Sequence, residues 1–324
     1  MGTRFWSFPM SGTEAIRSGF VAIVGPPNVG KSTLLNAVLG VELSIITPKP
    51  QTTRDRIIGV RELLATASAP AAQLVLVDTP GLVRDTRSEL ERWMVREAWQ
   101  AIDDVDVVIL VTEASVPPSQ TPRPDEERVL ERIRHSGKPA LLALNKVDLV
   151  RPKPLLLPRI DRWRALHEFR AIVPIAAKSG DGVEDLVRAA ADLLPQGPRY
   201  FPEDALTDRP ERFLVGERVR EQIFLQARQE VPYATAVTID AFEERADRGD
   251  VVVEATIHVE RQNQRAILVG KGGSMIREIG SRARAAATRL LGRPVHVKLW
   301  VRVDPDWRRD PEALRRLGYG AADQ

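Results

Sequence analysis

The sequence predicts an α/β domain, a mostly parallel sheet with helices on both faces, followed by a smaller α+β module. Three observations carry this. The stretch "GPPNVGKST" (residues 25–33) follows the apolar run "FVAIV" and precedes the breaker-free "LLNAVL". From Phe20 to about Pro195, short apolar runs alternate with helical stretches. Beyond a proline-rich segment, the order changes to helix, two strands, a glycine loop, helix, strand.

In the first part the predicted strands are "FVAIV", "LVLVD", "VVILVTE", "ALLALNK" and "AIVPIA", and the predicted helices are 88–102, 125–135 and 182–194. Strands that alternate with helices of this length build parallel sheets covered on both faces. Such sheets bind phosphates at the carboxyl ends of their strands. The segment "TASAPAAQ" (66–73) reads as a loop tip between two strands, and "LPQGPRYFPEDALTDRP" (194–210) as a linker. After it come a helix over about 212–230, the strands "ATAVTIDAF" and "VVVEATIHVE", the loop "VGKGG", a helix over 274–291 and the strand "PVHVKLWVRV".

Each motif has a chemical reading. Gly25, Gly30, Lys31 and Ser32 fit G-x-x-x-x-G-K-[ST], the phosphate-binding loop. Its glycines let backbone N–H groups wrap phosphate oxygens, and the following helix start adds partial positive charge. Pro26, Pro27, Asn28, Val29 and Thr33 complete the cradle. Lys31 is expected at the β- and γ-phosphates, and the Ser32 hydroxyl on Mg²⁺. "VDTPG" brings Asp78 to the same Mg²⁺, with Thr79, Pro80 and Gly81 in the turn and the Gly81 N–H near the γ-phosphate. In "QTTR" (51–54) a mobile loop must supply a second metal hydroxyl; Thr53 is the choice and Thr52 the runner-up. Lys31, Thr53 and Gly81 are the expected catalytic positions.

Two further strand ends select the base. In "NKVD" (145–148) the Asp148 carboxylate can accept two N–H groups from guanine, a pair adenine lacks. Asn145 ties this loop to the phosphate loop, and the Lys146 stem lies along the base. In "IAAK" (175–178), Ala176, Ala177 and Lys178 flank the base, with the Ala177 N–H expected on the guanine oxygen. Four such segments in order, at successive strand ends, predict a GTP site. Leu82 stands where Ras-like switches place a water-orienting glutamine, so intrinsic hydrolysis is expected to be slow. Residues 44–56 and 81–92 are the expected switch segments.

In the second module, Gly270–Gly273 form G-x-x-G with Lys271 inside it. This order of elements resembles a type II KH module, whose loop clamps the backbone of about four single-stranded nucleotides. Ile276, Ile279, Ala283, Ala286 and Leu290 recur at helical spacing and predict the core stripe, while Arg277 and Arg284 share another face. "VVVEATIHVE" is the expected base platform. Between Arg261 and Arg302 stand ten Lys or Arg against one acid, Glu278, which suits a polyanion although net charge is only +3.

Composition excludes several classes. The absence of cysteine rules out disulfides, thiolate metal sites and cysteine nucleophiles. The four histidines lack metal-ligand spacing. No apolar run reaches the ~18 residues of a membrane helix, and the N-terminus lacks a signal-peptide core.

Together "GPPNVGKST", "QTTRDRIIG", "DTPGL", "NKVD", "EVPYATAV", "VGKGG" and "VHVKLWVRV…W…LRRLGYG" resemble the Era family of ribosome-assembly GTPases, from about Arg17 to Tyr319. The resemblance implies a GTP/GDP switch with Mg²⁺ that binds the three-prime end of small-subunit ribosomal RNA and assists small-subunit assembly. It implies a cytoplasmic monomer, with peripheral contact at the inner membrane face. RNA contacts carry over to Gly270, Lys271, Gly272, Gly273, Arg277 and Arg284. In GTPases with "PNVGKS" loops the asparagine matching Asn28 helps bind K⁺, so potassium is expected to accelerate hydrolysis. Two departures stand out: Ala176 replaces the family's serine, and the loop lysine is second rather than third in GxxG. The expected division is an N-terminal extension (1–16), GTPase domain (17–195), linker (196–210), KH domain (211–320) and tail (321–324); Met10 is an alternative start. The competing reading is a switch acting on protein or membrane partners, with the KH-like domain as scaffold; one P-loop and a retained GxxG favour RNA.

Overall fold

A computed structural model describes residues 11–67, 69–82, 86 and 88–319. The expected 1–16 extension falls largely outside that range, as does the 321–324 tail, and the second expected switch segment is covered only in part. Contacts divide the chain into two compact units. One comprises Met1–Ser44, Thr53–Asp85 and Met94–Asp208; the other comprises Ile45–Thr52, Thr86–Trp93 and Arg209–Gln324.

The first unit holds a seven-stranded sheet. Its strands are β1 (Ser11–Val24), β2 (Ile57–Leu63), β3 (Ala72–Asp78), β4 (Val107–Glu113), β5 (Ala140–Asn145), β6 (Ala171–Pro174) and β7 (Gln196–Arg199), in the order β2-β3-β1-β4-β5-β6 with β7 on β1. β1, β3, β4, β5 and β6 run parallel, and β2 and β7 pair antiparallel. Every residue of β3 and β5 is buried, which is why these segments read as unbroken apolar runs rather than as alternation. The helices are α1 (Lys31–Leu39), α2 (Glu89–Asp104), α3 (Pro124–Ser136), α4 (Leu156–Leu166) and α5 (Val183–Asp192). Phe20, Val75, Val108, Leu142, Ile102 and Leu130 belong to one buried cluster. α4 went unread in the sequence: it has a proline, Pro158, in its first turn and buries only Trp163.

The expected linker is structured in its first part. β7 lies within it, and the Ser18 hydroxyl donates to the Pro198 carbonyl at 2.7 Å. The Tyr200 and Phe201 N–H groups donate to Gln73 Oε1 at 2.8 and 3.0 Å, and the Val60 N–H donates to the Leu206 carbonyl at 2.9 Å. β1 likewise begins at Ser11, ahead of the domain start expected at residue 17.

In the second unit, α6 (Glu211–Gln226), β8 (Thr235–Arg245), β9 (Asp250–Val259), α7 (Gln262–Val269), α8 (Ser274–Leu291), β10 (Val295–Val303) and α9 (Pro311–Arg316) follow in order. The sheet order is β10-β9-β8, with β9 antiparallel to β8 and parallel to β10. The helices cover one face: Val219, Ile223, Leu268, Ile279 and Ala283 pack with Ile257 and Val259.

Candidate functional site

The phosphate loop joins β1 to α1. α1 carries no acid in its first turn and no side-chain cap, so its N-terminal N–H groups are left to an anion. Gly30 opens the helix at φ 101°, and a Cβ there would stand 2.3 Å from Asn145 Nδ2; only glycine fits. Lys31 Nζ donates to the Gly25 and Pro26 carbonyls at 3.0 and 2.9 Å. Burial pushes its pKa down to about 8, against the pull of Asp78. Asp78 is pushed up by burial, opposed by Lys31 and by hydroxyl hydrogen bonds.

Three oxygens converge beside it. Ser32 Oγ donates to Asp78 Oδ2 at 2.7 Å and lies 2.8 Å from Thr53 Oγ1. Thr53 Oγ1 is 3.5 Å from Asp78 Oδ2. Thr52, the runner-up, is held elsewhere, on Thr47 Oγ1 at 2.9 Å and the Lys49 carbonyl at 2.8 Å. Asp78 Oδ1 is buried with no hydrogen-bond partner among the described residues. An orphaned carboxylate oxygen beside two hydroxyls is a hard-oxygen donor set that fits Mg²⁺. Thr79 ties the turn to β1 through the Ile23 carbonyl at 2.8 Å. The turn packs on the phosphate loop: a Cβ on Gly81 would meet Pro27 Cα at 2.9 Å. Leu82 lies in the core at 4% exposure.

On the base side, Asn145 Nδ2 donates to the Val29 carbonyl at 2.8 Å, and Asn145 Oδ1 accepts the Lys146 and Ala177 N–H groups at 2.8 and 3.0 Å. The Ala177 N–H, expected on the guanine oxygen, here donates to Asn145 Oδ1, and the next backbone donor along the chain is the Lys178 N–H. Ala176 is buried, and its N–H donates to the Asp181 carbonyl at 2.9 Å. The Asp148 carboxylate is exposed and has no polar partner among the described residues. Lys146 Nζ donates to the Asn28 carbonyl at 3.0 Å and to Glu113 Oε1 at 2.9 Å. Glu113 was missed in the sequence; its position at the end of "VVILVTE" was the available signal.

The second unit carries the other predicted residues. Gly270, Gly272 and Gly273 have φ of 73°, 57° and 77°, all left-handed. Lys271, Arg277 and Arg284 are exposed, and none has an ion-pair partner among the described residues. Arg277, Gly280 and Arg284 line a groove of about 340 Å³ with Ile276, Val297 and Leu299. Two expectations are corrected here. Ile276 faces the groove rather than the core, whose stripe is Ile279, Ala283, Ala286 and Ala287. "VVVEATIHVE" is the central strand β9, and the groove wall is the edge strand β10.

A family model described as 50S ribosome-binding GTPase matches residues 20–146, and one described as KH domain matches residues 230–308. The chain is 48% identical over 303 residues to GTPase Era of Geobacter metallireducens, covering 94% of this chain and 98% of that protein. It is 45% identical over 303 residues to GTPase Era of Syntrophus aciditrophicus, covering 94% and 95%. Among solved structures, an Era variant of Aquifex aeolicus bound to GDP and aluminium fluoride matches with TM-score 0.87 and 41% identity, covering 94% of this chain and 99% of that one. Era in complex with MgGDPNP and nucleotides 1506–1542 of 16S ribosomal RNA matches with TM-score 0.87 and 40% identity, over the same shares. With a P-loop GTPase domain followed by a KH domain, this chain belongs to the Era family of GTPases.

Proposed function

We propose that this GTPase uses its nucleotide state to control binding of single-stranded RNA, the three-prime end of small-subunit ribosomal RNA, during small-subunit assembly. The observation that carries the reading is the groove beside the GxxG loop, with Arg277 and Arg284 unpaired on its wall. Cations without protein partners are suited to phosphates. The related Era solved with MgGDPNP and 16S nucleotides supports the same assignment.

In this reading Gly25–Thr33 and the start of α1 hold the phosphates, with Lys31 on the β- and γ-oxygens. Ser32, Thr53 and Asp78 hold Mg²⁺, which when bound neutralises phosphate charge. The Gly81 N–H contacts the γ-phosphate, Asp148 accepts the guanine N–H pair, and the Lys178 N–H meets the guanine oxygen. Leu82 is packed in the core, so no side chain at that position orients the attacking water. Asn28 answers that gap. It is exposed at φ 63°, and its side chain makes no hydrogen bond among the described residues, so its oxygen would be available to help hold a K⁺ ion, which would supply positive charge beside the phosphates. Hydrolysis is expected to be several-fold faster in potassium than in sodium at equal ionic strength, and equal rates reject the K⁺ role.

Peripheral membrane contact, a cytoplasmic location and a monomeric chain are carried into this reading by the family resemblance. No helix among the described residues is long and apolar enough to cross a membrane.

The test is affinity for a single-stranded RNA matching the ribosomal three-prime tail, at fixed salt, with GDP and with a non-hydrolysable GTP analogue. It compares wild type with a Gly272→Asp, Gly273→Asp double variant. A Cβ at Gly272 meets open space and one at Gly273 meets only the flexible end of Arg277, so the variant adds charge at the cost of backbone strain at φ 57° and 77° and not of a steric clash. Nucleotide-sensitive binding that the variant loses is the expected result. Wild-type binding that ignores the nucleotide moves the output to a protein or membrane partner.

A further inference from the structure

We propose that the solvent face of β10 is a second RNA contact, outside the GxxG groove. There Trp300 stacks an unpaired base, and Lys298 and Arg302 hold the flanking phosphates. The proposal rests on the RNA reading above.

β10 divides its residues strictly by parity. Val297, Leu299, Val301 and Val303 pack against the helix-covered core, while His296, Lys298, Trp300 and Arg302 are exposed on the opposite face. Trp300 is 47% exposed, on an edge strand, and its indole has no polar partner among the described residues. About half of this large indole lies in water, and that half adds nothing to folding. Its cross-strand neighbour is Thr256, followed by Thr238 on β8. The ring therefore stands over a shelf of small polar side chains and leaves room for a planar ligand.

The face carries charges of both signs, and the two side chains that flank the ring along β10 are cations. Alternate strand residues lie roughly 7 Å apart, so the ring has a cation on either side at that spacing. Arg302 has no ion-pair or hydrogen-bond partner among the described residues. Lys298 bonds Glu254 at 3.0 Å, but both groups are exposed and the pair exchanges readily with a phosphate. His296 sits on Asp250 at 3.1 Å, and Asp240 is occupied by the Thr256 hydroxyl at 2.6 Å. A protein-docking face would show contiguous apolar surface, whereas Trp300 is here isolated among charged groups and hydroxyls. A strand-borne aromatic between cations is how sequence-tolerant sites stack single-stranded bases. The placement also suits a continuous ligand: Val297 and Leu299 line the GxxG groove on one side of β10, and Trp300 faces the other. A chain leaving the groove crosses the outer edge of one strand, where Arg265 donates to the Val301 carbonyl at 3.3 Å.

The test uses the full-length protein and two RNAs of one sequence, a tetranucleotide that fills the groove and a 12-mer. Trp300→Ala is expected to bind the tetranucleotide within twofold of wild type and the 12-mer roughly tenfold more weakly. Trp300→Phe, which keeps a stacking face, is expected to restore most of the 12-mer affinity. GTP hydrolysis stays unchanged in both. Wild-type affinity of Trp300→Ala for the 12-mer overturns the proposal, as does an equal loss for both RNAs, which would mean a structural role. Failure of the groove reading looks different: the double-Asp loop variant would keep tetranucleotide binding, and the 12-mer would then judge Trp300 alone. Wild type binding neither RNA overturns both.

Discussion

Lys31 is 6% exposed and its pKa is held down to about 8 by burial, with Asp78 beside it only partly offsetting that burial. In the unfolded chain the same group titrates near 10.5, so between about 8 and 10.5 the unfolded state holds more proton. Its contribution to stability without nucleotide therefore rises with pH across that window. Nucleotide phosphates act in the opposite sense, because they favour the ammonium. GDP affinity is expected to be flat from pH 7 to about 8 and then to fall by up to roughly tenfold per unit. A fluorescent GDP analogue titrated from pH 7 to 9.5 measures this, and a flat profile rejects it. The convergence of Ser32, Thr53 and Asp78 was legible because the motifs that carry them have fixed residue types and order. The Ala177 N–H was not, because its acceptor depends on which way the Asn145 amide points. Glu113 was not, because one acid at a strand end matches no pattern.

At the scale of elements, runs dictated by burial were read well and elements dictated by packing partners were not. β4 and β5 are apolar because they are covered on both faces, and α8 spans 274–291 as its spacing predicts. α7 has only eight residues and an indistinct apolar face, so it passed as a connecting segment. The apolar density of β9 suggested a ligand platform when it reflects a central position in the sheet. The join between β2 and α2 was likewise invisible. Arg56 donates from Nε to Glu97 at 2.6 Å, with Asp104 3.7 Å away, and the Arg56 and Glu97 side chains are about nine-tenths buried. Burial already pushes the Asp104 carboxyl up, and Arg56 opposes it. Arg56→Ala leaves those acids without their cation and is expected to destabilise the GTPase unit by about 3–5 kcal/mol. Urea unfolding measures this, and a loss below about 1 kcal/mol contradicts it.

For the whole molecule, the change in element order after residue 195 marked two modules, and the basic excess between Arg261 and Arg302 marked the one suited to a polyanion. The proline-rich composition of 194–210 suggested a longer flexible connection than the structure has, since composition does not reveal which N–H groups find a sheet edge. Hydrogen bonds fix this stretch to the first unit as far as Leu206, and α6 begins at Glu211. Only residues 207–210 lie between Leu206 and α6. The chain also passes between the two units at 44–45 and 52–53, so each unit meets the other as part of one molecule and not at a bulk concentration. An RNA held by one unit is thereby presented to the other without a second encounter from solution.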